Sequence, residues 1–258
     1  MLRCIRSNGR PRQSHRRSPI RALLAAIGFL TRLPVPAGVF DGVSTRTQLA
    51  WYPVVGWLIG ALLWAFGWVL AAAPPLLASA LLLLAWVALT GALHLDGLAD
   101  SADAWVGGLG DRERTLAIMK DPRSGPMGVA AVVLVLLLKF AALASLPHPG
   151  VALWLTPLLG RAVLTAAFVS TPYVRSGGLG SALVAAPRSA SLAGLALALA
   201  LCLIGGRPGL WALLAATLVF AFWRLACLRR LGGMTGDTCG ALTELTEAAV
   251  LVVLALLC

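Results

Sequence analysis

The sequence predicts an all-α, polytopic integral membrane bundle of about six to seven transmembrane helices, with a cytoplasmic N-terminus. Three observations carry this. Hydrophobic residues make up 59% of the 258 and charged residues 12%, against roughly 25% charged in a soluble domain. Apolar runs near twenty residues recur, and about 20 such residues cross a ~30 Å hydrocarbon core as a helix. The alternating apolar/polar pattern of a membrane barrel is missing.

In chain order, residues 1–19 read as a basic, disordered arm and 20–258 as a single membrane-embedded catalytic domain. The arginine-rich start and the apolar stretch 22–30 look like a signal peptide, and Arg16-Arg17 like a weak twin-arginine signal. No A-x-A cleavage site follows; Leu33-Pro34-Val35-Pro36 does, so a retained interfacial helix is expected. Seven candidate spans come next: 53–72, 76–93, 127–146, 151–171, 189–204, 210–227 and 241–258. The fifth is the shortest and could be re-entrant. The spans and their tight connections leave no room for a separate soluble domain.

The connections alternate in charge. Segments 73–75, 147–150 and 205–209 carry one basic residue, Arg207. The opposite set carries Arg112, Arg114, Lys120, Arg123, Arg175, Arg188, Arg229 and Arg230, and nine arginines precede the first span. The positive-inside rule puts this side in the cytoplasm, in keeping with a multi-pass protein of the cell (inner) membrane. The net charge of +11 is topology signal plus attraction to anionic lipid. No nucleic-acid motif accompanies it, so no nucleic-acid partner is expected.

Small motifs add little. The five cysteines form no C-x-x-C, and Cys239 reads as a small packing residue. Gly177-Gly178-Leu179-Gly180 reads as a flexible loop, and Gly56/Gly60 as a close helix contact. The tryptophans read as interfacial or packing residues. Lys139 and Arg161 fall inside predicted spans, and Lys139 either snorkels or neutralises a buried carboxylate.

Nine of the ten acidic residues lie in two stretches, 94–121 and 237–247. An ionisable residue in a membrane is costly and marks function by default. In the first stretch, G-A-L-H-L-D-G-L-A-D-S-A-D spans 91–103. Its Asp96, Asp100 and Asp103 fall within a ~60° sector of a helix. Like charges so spaced repel unless a cation lies between them, and oxygen-only donors suit Mg²⁺ or Mn²⁺. His94 would point away from that sector in a continuous helix. Asp111 and Glu113, interleaved with Arg112 and Arg114, read as ordinary surface charges.

In the second stretch, G-G-M-T-G-D-T-C-G-A-L-T-E-L-T-E spans 232–247. Glu244 and Glu247 share a helix face, which Asp237 joins if the helix extends back to it. The preceding glycines offer a tight turn with amides able to cradle an anion. Asp96, Asp100, Glu244 and Glu247 read as lying at helix–membrane junctions. Between the clusters, M-K-D-P-R-S-G-P-M-G at 119–128 forms a turn in which Lys120 and Arg123, beside Asp121, are candidate phosphate contacts. Carboxylates that hold Mg²⁺ beside basic residues are the apparatus of phosphoryl transfer.

These strings, with F-L-T-R-L-P-V-P at 29–36 and W-Y-P-V-V-G at 51–56, resemble the cobalamin synthase (adenosylcobinamide-GDP ribazoletransferase) family in register over about residues 20–258. Two departures are Ala92, where glycine is common, and Ala104, where glycine often follows the third Asp. The resemblance implies a Mg²⁺-dependent membrane enzyme that completes the nucleotide loop of vitamin B12. A ribose hydroxyl of α-ribazole, or of its 5′-phosphate, would attack the cobinamide-side phosphorus of adenosylcobinamide-GDP, releasing GMP. On this reading Asp96, Asp100 and Asp103 hold the metal. Asp237, Glu244 and Glu247 supply a second ligand set or the base. His94, Lys120, Asp121 and Arg123 contact substrate or phosphate. The partners are the two substrates and the lipid bilayer, with room for a homo-oligomer.

Two rivals are a CDP-alcohol phosphotransferase and a cation transporter. The first would need Asp where Leu93 stands. The second would need its carboxylates near the bilayer midplane.

Overall fold

The computed structural model describes residues 18–40, 42–175 and 179–257. Residues 1–17 of the expected arm, Cys4, Cys258, and Gly177 and Gly178 of the glycine loop lie outside these. In order come α1 (Pro19–Leu30), α2 (Gly42–Thr47), α3 (Tyr52–Val69), α4 (Pro75–Thr90), α5 (Leu93–Gly107), α6 (Arg112–Ile118), α7 (Pro126–Ser145), α8 (Gly150–Ser170), α9 (Arg188–Ile204), α10 (Gly206–Leu231) and α11 (Gly236–Leu257). No strand occurs among the described residues; one isolated parallel bridge joins Tyr173 to Met234.

Each predicted span is a helix. Among the described residues, five segments are long and apolar enough to cross a bilayer: α3 with its lead-in (Thr45–Val69), α7, α8, α10 and α11. A sixth is possible if α4 and α5, bent by 88°, count as one broken span. Six agrees with the expectation, and its upper figure of seven is not reached because α9 has only 17 residues, or ~25 Å of helix.

The most buried helix is α8, which packs most extensively on α3 and also touches α9, α10 and α11. The Gly56/Gly60 pair makes the α3–α8 approach possible. A Cβ on Gly56 would stand 2.3 Å from the Pro157 carbonyl oxygen, and one on Gly60 2.6 Å from that of Leu153. Pro157 has no N–H to give Leu153, so Gly60 meets a carbonyl that lacks its helical donor. Leu84, Leu134, Leu218 and Phe222 are exposed around the outside, as a lipid-facing surface requires. Helix α1 turns Ala22, Ala25, Ala26 and Leu30 inward, packing on the bundle.

The bend between α4 and α5 positions the site. Gly91 and Ala92 both adopt left-handed backbone, with φ 62° and 57°, so the helix stops and restarts in a new direction. Arg32 pins the break: its N–H donates to the Leu89 carbonyl at 2.8 Å and its side chain reaches the Gly91 carbonyl. Ala92 is strained there, because left-handed conformation costs a residue with a Cβ roughly 1–2 kcal/mol. Ala92→Gly should therefore stabilise the protein by about 1 kcal/mol, net of glycine's greater freedom when unfolded. A thermal unfolding midpoint in detergent, higher than that of the wild type, is the check.

Candidate active site

Helices α5 and α11 cross at two glycines. A Cβ on Gly97 would lie 2.7 Å from the Asp237 carbonyl oxygen and 3.2 Å from the Gly240 Cα. This close approach brings the first-cluster aspartates beside the start of α11. Asp96 is exposed and Asp100 and Asp237 are half-buried. Asp100 lies within electrostatic reach of Asp96, Asp237 and Asp103.

Asp237 is fixed by a knot of local bonds. Gly232 ends α10 in left-handed conformation, φ 76°. Met234 N–H donates to the Pro172 carbonyl and Val174 N–H to that of Met234, at 2.8 and 2.9 Å. Thr235 and Thr238 exchange bonds reciprocally: each backbone N–H donates to the other's Oγ1, at 2.8 and 3.2 Å, as in a capping box. These bonds consume the Met234, Thr235 and Thr238 amides, so these three are not available to the expected anion cradle. The same knot carries Arg175 to Asp237, where Nη1 donates to Oδ2 at 2.7 Å. It also brings Tyr173, whose phenol is raised above its ordinary range by burial and stays neutral.

Asp96, Asp237, Arg175 and Tyr173 line one cavity of about 400 Å³ with His94, Tyr52, Phe29 and Phe168. Helix α5 begins at Leu93, so His94 sits in its first turn, where it is buried yet lines the same cavity as Asp96. His94 Nε2 and Tyr52 Oη are buried without hydrogen-bond partners among the described residues. Each such group costs about 1–3 kcal/mol, a cost that calls for an explanation such as a functional role.

Asp103 is engaged elsewhere. Its Oδ2 accepts from Gly125 N–H at 2.7 Å and its Oδ1 from Gly128 N–H at 2.9 Å, at the N-terminus of α7. Both glycines are needed: a Cβ on either would stand 2.5 Å from an Asp103 oxygen. The carboxylate neutralises the helix end. Asp103→Ala should cost about 1–2 kcal/mol of stability, as lost caps do, measured as a lower unfolding midpoint, while the cavity's carboxylates are untouched.

Glu244 and Glu247 do not join the cavity. Because α11 starts at Gly236, they fall well inside it rather than at a membrane junction, and both are buried. Lys139 Nζ donates to Glu244 Oε2 at 2.5 Å and to Glu247 Oε2 at 2.6 Å; Arg161 pairs with Glu247 Oε1. Two cations and two carboxylates balance, and Lys139 also lies 5.0 Å from the Trp86 ring centroid. Lys139 thus neutralises buried carboxylates rather than snorkelling.

The 119–128 turn is separate again. Lys120 is exposed. Arg123 clasps Asp121 with Nε and Nη2 at 3.0 and 2.8 Å and holds its carboxyl down at about 2. Asp111 caps α6 by accepting from Arg114 N–H at 2.6 Å, and Arg112 donates to the Leu231 carbonyl at the end of α10. Asp111, expected to be an ordinary surface charge, is therefore a helix cap, while Glu113 is exposed.

Among the described residues no three His, Cys, Asp or Glu side chains form a ready-made metal cage. The donor set still fits Mg²⁺, which binds through one or two carboxylates plus substrate phosphates rather than in an all-protein cage. Sequence reasoning missed Arg175, Tyr173 and the aromatic lining. Arg175 reads as one more topology charge. Phe29 and Tyr52 lie within the early strings that carry the resemblance.

Comparison with known proteins agrees over nearly the whole chain. The cobalamin-5-phosphate synthase family model matches residues 22–255. A protein of Stutzerimonas stutzeri is 58% identical over 239 residues, covering 91% of this chain and 97% of its own. One of Pseudomonas aeruginosa is 57% identical over 245, covering 93% and 100%. One of Pseudomonas fluorescens is 56% identical over 236, covering 90% and 97%. Each is named an adenosylcobinamide-GDP ribazoletransferase. No solved structure matches.

Proposed function

Because the chain belongs to the cobalamin-5-phosphate synthase family, we infer that it is the transferase that joins adenosylcobinamide-GDP to α-ribazole, or to its 5′-phosphate, in assembling the nucleotide loop of cobalamin. The observation that carries the reading is the meeting of Asp96, Asp237 and Arg175 in one cavity, with Asp100 beside them. A ribose hydroxyl oxygen forms a bond to the cobinamide-side phosphorus. That phosphorus loses its bond to the bridging oxygen, GMP leaves, and the hydroxyl proton passes to a carboxylate. Asp96, Asp100 and Asp237 would hold Mg²⁺, which when bound neutralises the diphosphate. Arg175, fixed by Asp237, meets a phosphate oxygen. Asp103, Glu244 and Glu247 build the frame: the first through α7, the other two through Lys139 and Arg161.

The cavity faces the cytoplasm in this reading. Arg112, Arg114, Lys120, Arg123, Arg175, Arg229 and Arg230 belong to connections at its end of the bundle, whereas the opposite connections carry Arg207 alone. An α-helical bundle, rather than a barrel, fits the inner membrane. Glu244 and Glu247, deep within α11, are charge-balanced by Lys139 and Arg161, which speaks against the transporter alternative.

The test uses purified protein in nanodiscs with Mg²⁺. Adenosylcobinamide-GDP plus α-ribazole or its 5′-phosphate should release GMP. Release of CMP from a CDP-alcohol, with no GMP from the cobinamide donor, would overturn the reading.

A further inference from the structure

We propose that the aromatic part of this cavity is the acceptor pocket, taking the flat, weakly polar base of the nucleoside while Asp96 and Asp237 receive its ribose. The inference rests on the transferase reading above and says which of the two substrates the enclosed space admits.

Four aromatic rings line the cavity in two stacked pairs. Phe29 and Tyr52 lie 6.1 Å apart at 12°, and Phe168 and Tyr173 5.7 Å apart at 25°. Leu164 and Leu183 add apolar wall. Among the described residues no Asn, Gln, Ser or Thr side chain lines it; its polar side chains are His94, the two tyrosine hydroxyls and the charged groups. Its charged residues are Asp96, Asp237 and Arg175. Aromatic side chains hold bases by stacking, which needs no polar edge.

Size points the same way. About 400 Å³ is near the lower end of the roughly 300–1,000 Å³ range of ligand pockets. That is room for a nucleoside, not for a corrinoid joined to a nucleoside diphosphate. A nucleoside inside, with its ribose at Asp96 and Asp237, leaves the diphosphate at the exposed Asp96 rim, within reach of Arg175. Gly180 is part of the design: a Cβ there would stand 2.8 Å from the Tyr173 phenol oxygen, so glycine lets that ring keep its place.

Phe168 is the residue to change, since it is only half-buried. Phe168→Ala should raise the KM for α-ribazole by about 10-fold or more, the scale of one lost stacking contact, and leave the KM for adenosylcobinamide-GDP unchanged. A rise in the donor KM instead, or in neither, overturns the proposal. A second measurement needs no variant. With wild-type protein, an α-riboside of adenine should be a poorer acceptor than α-ribazole, and an equal KM counts against an apolar pocket. Equilibrium binding separates this proposal from the transferase reading. If wild-type protein releases no GMP, that reading fails; the pocket stands if α-ribazole still binds more weakly to Phe168→Ala than to wild type. It falls if α-ribazole does not bind, or if GDP displaces it from the same site.

Discussion

Asp100→Asn is expected to lower GMP release by about 10²–10³-fold or more, the scale of removing one group that stabilises transition-state charge. The substitution keeps shape and removes one negative charge. Asp100 has Asp96, Asp237 and Asp103 as neighbours, with Arg175 the cation nearby. Removing one of several repelling charges relieves strain, so the unfolding midpoint should hold or rise while turnover collapses. That opposition separates a functional carboxylate from a structural one. Asp96→Asn should behave alike, since Asp96 is exposed and makes no packing contribution to lose. Turnover within about twofold of wild type in both variants would remove the aspartates from the chemistry, because a loss of transition-state stabilisation must appear in the rate.

Lys139→Met is expected to have the largest effect on stability. Lys139 is 3% exposed and holds two buried carboxylates. Breaking a buried ion pair by removing one partner costs about 3–5 kcal/mol, mostly because the other charge is left uncompensated. The double variant Lys139→Met/Glu244→Gln should recover much of that loss, because Glu247 keeps Arg161 and the network is again neutral. Unfolding of purified protein in detergent is the measurement. No recovery in the double variant would show that the lysine matters through its packing on Trp86 rather than through charge balance.

Much of the bundle is written in local pattern. The apolar stretches became helices because length and hydropathy are properties of a segment alone. The Gly56/Gly60 contact was legible for the same reason. The bend after α4 was not, since the apolar run continues through Gly91 and Ala92 and only backbone conformation breaks it.

Within the site, helical phase grouped Asp96 with Asp100, both on α5. It could not see that α7 would claim Asp103, because Gly125 and Gly128 are remote in sequence. It also could not separate Glu244 and Glu247 from the aspartates. Their partners Lys139 and Arg161 sit on α7 and α8, and pairing across helices leaves no trace in spacing. Arg175 illustrates the opposite limit: a loop arginine on the basic side carries the topology signal whether or not it also serves a substrate.

The central claim is that Asp96 and Asp237 of the cavity with the neighbouring Asp100, and not the buried glutamates, form the metal and diphosphate site. Mn²⁺ binding, followed by electron paramagnetic resonance on protein in nanodiscs with adenosylcobinamide-GDP present, tests it most directly. The account predicts bound Mn²⁺ in the wild type and in Lys139→Met/Glu244→Gln, and its loss in Asp100→Asn. Binding that survives Asp100→Asn but disappears when Glu244 is changed would contradict it.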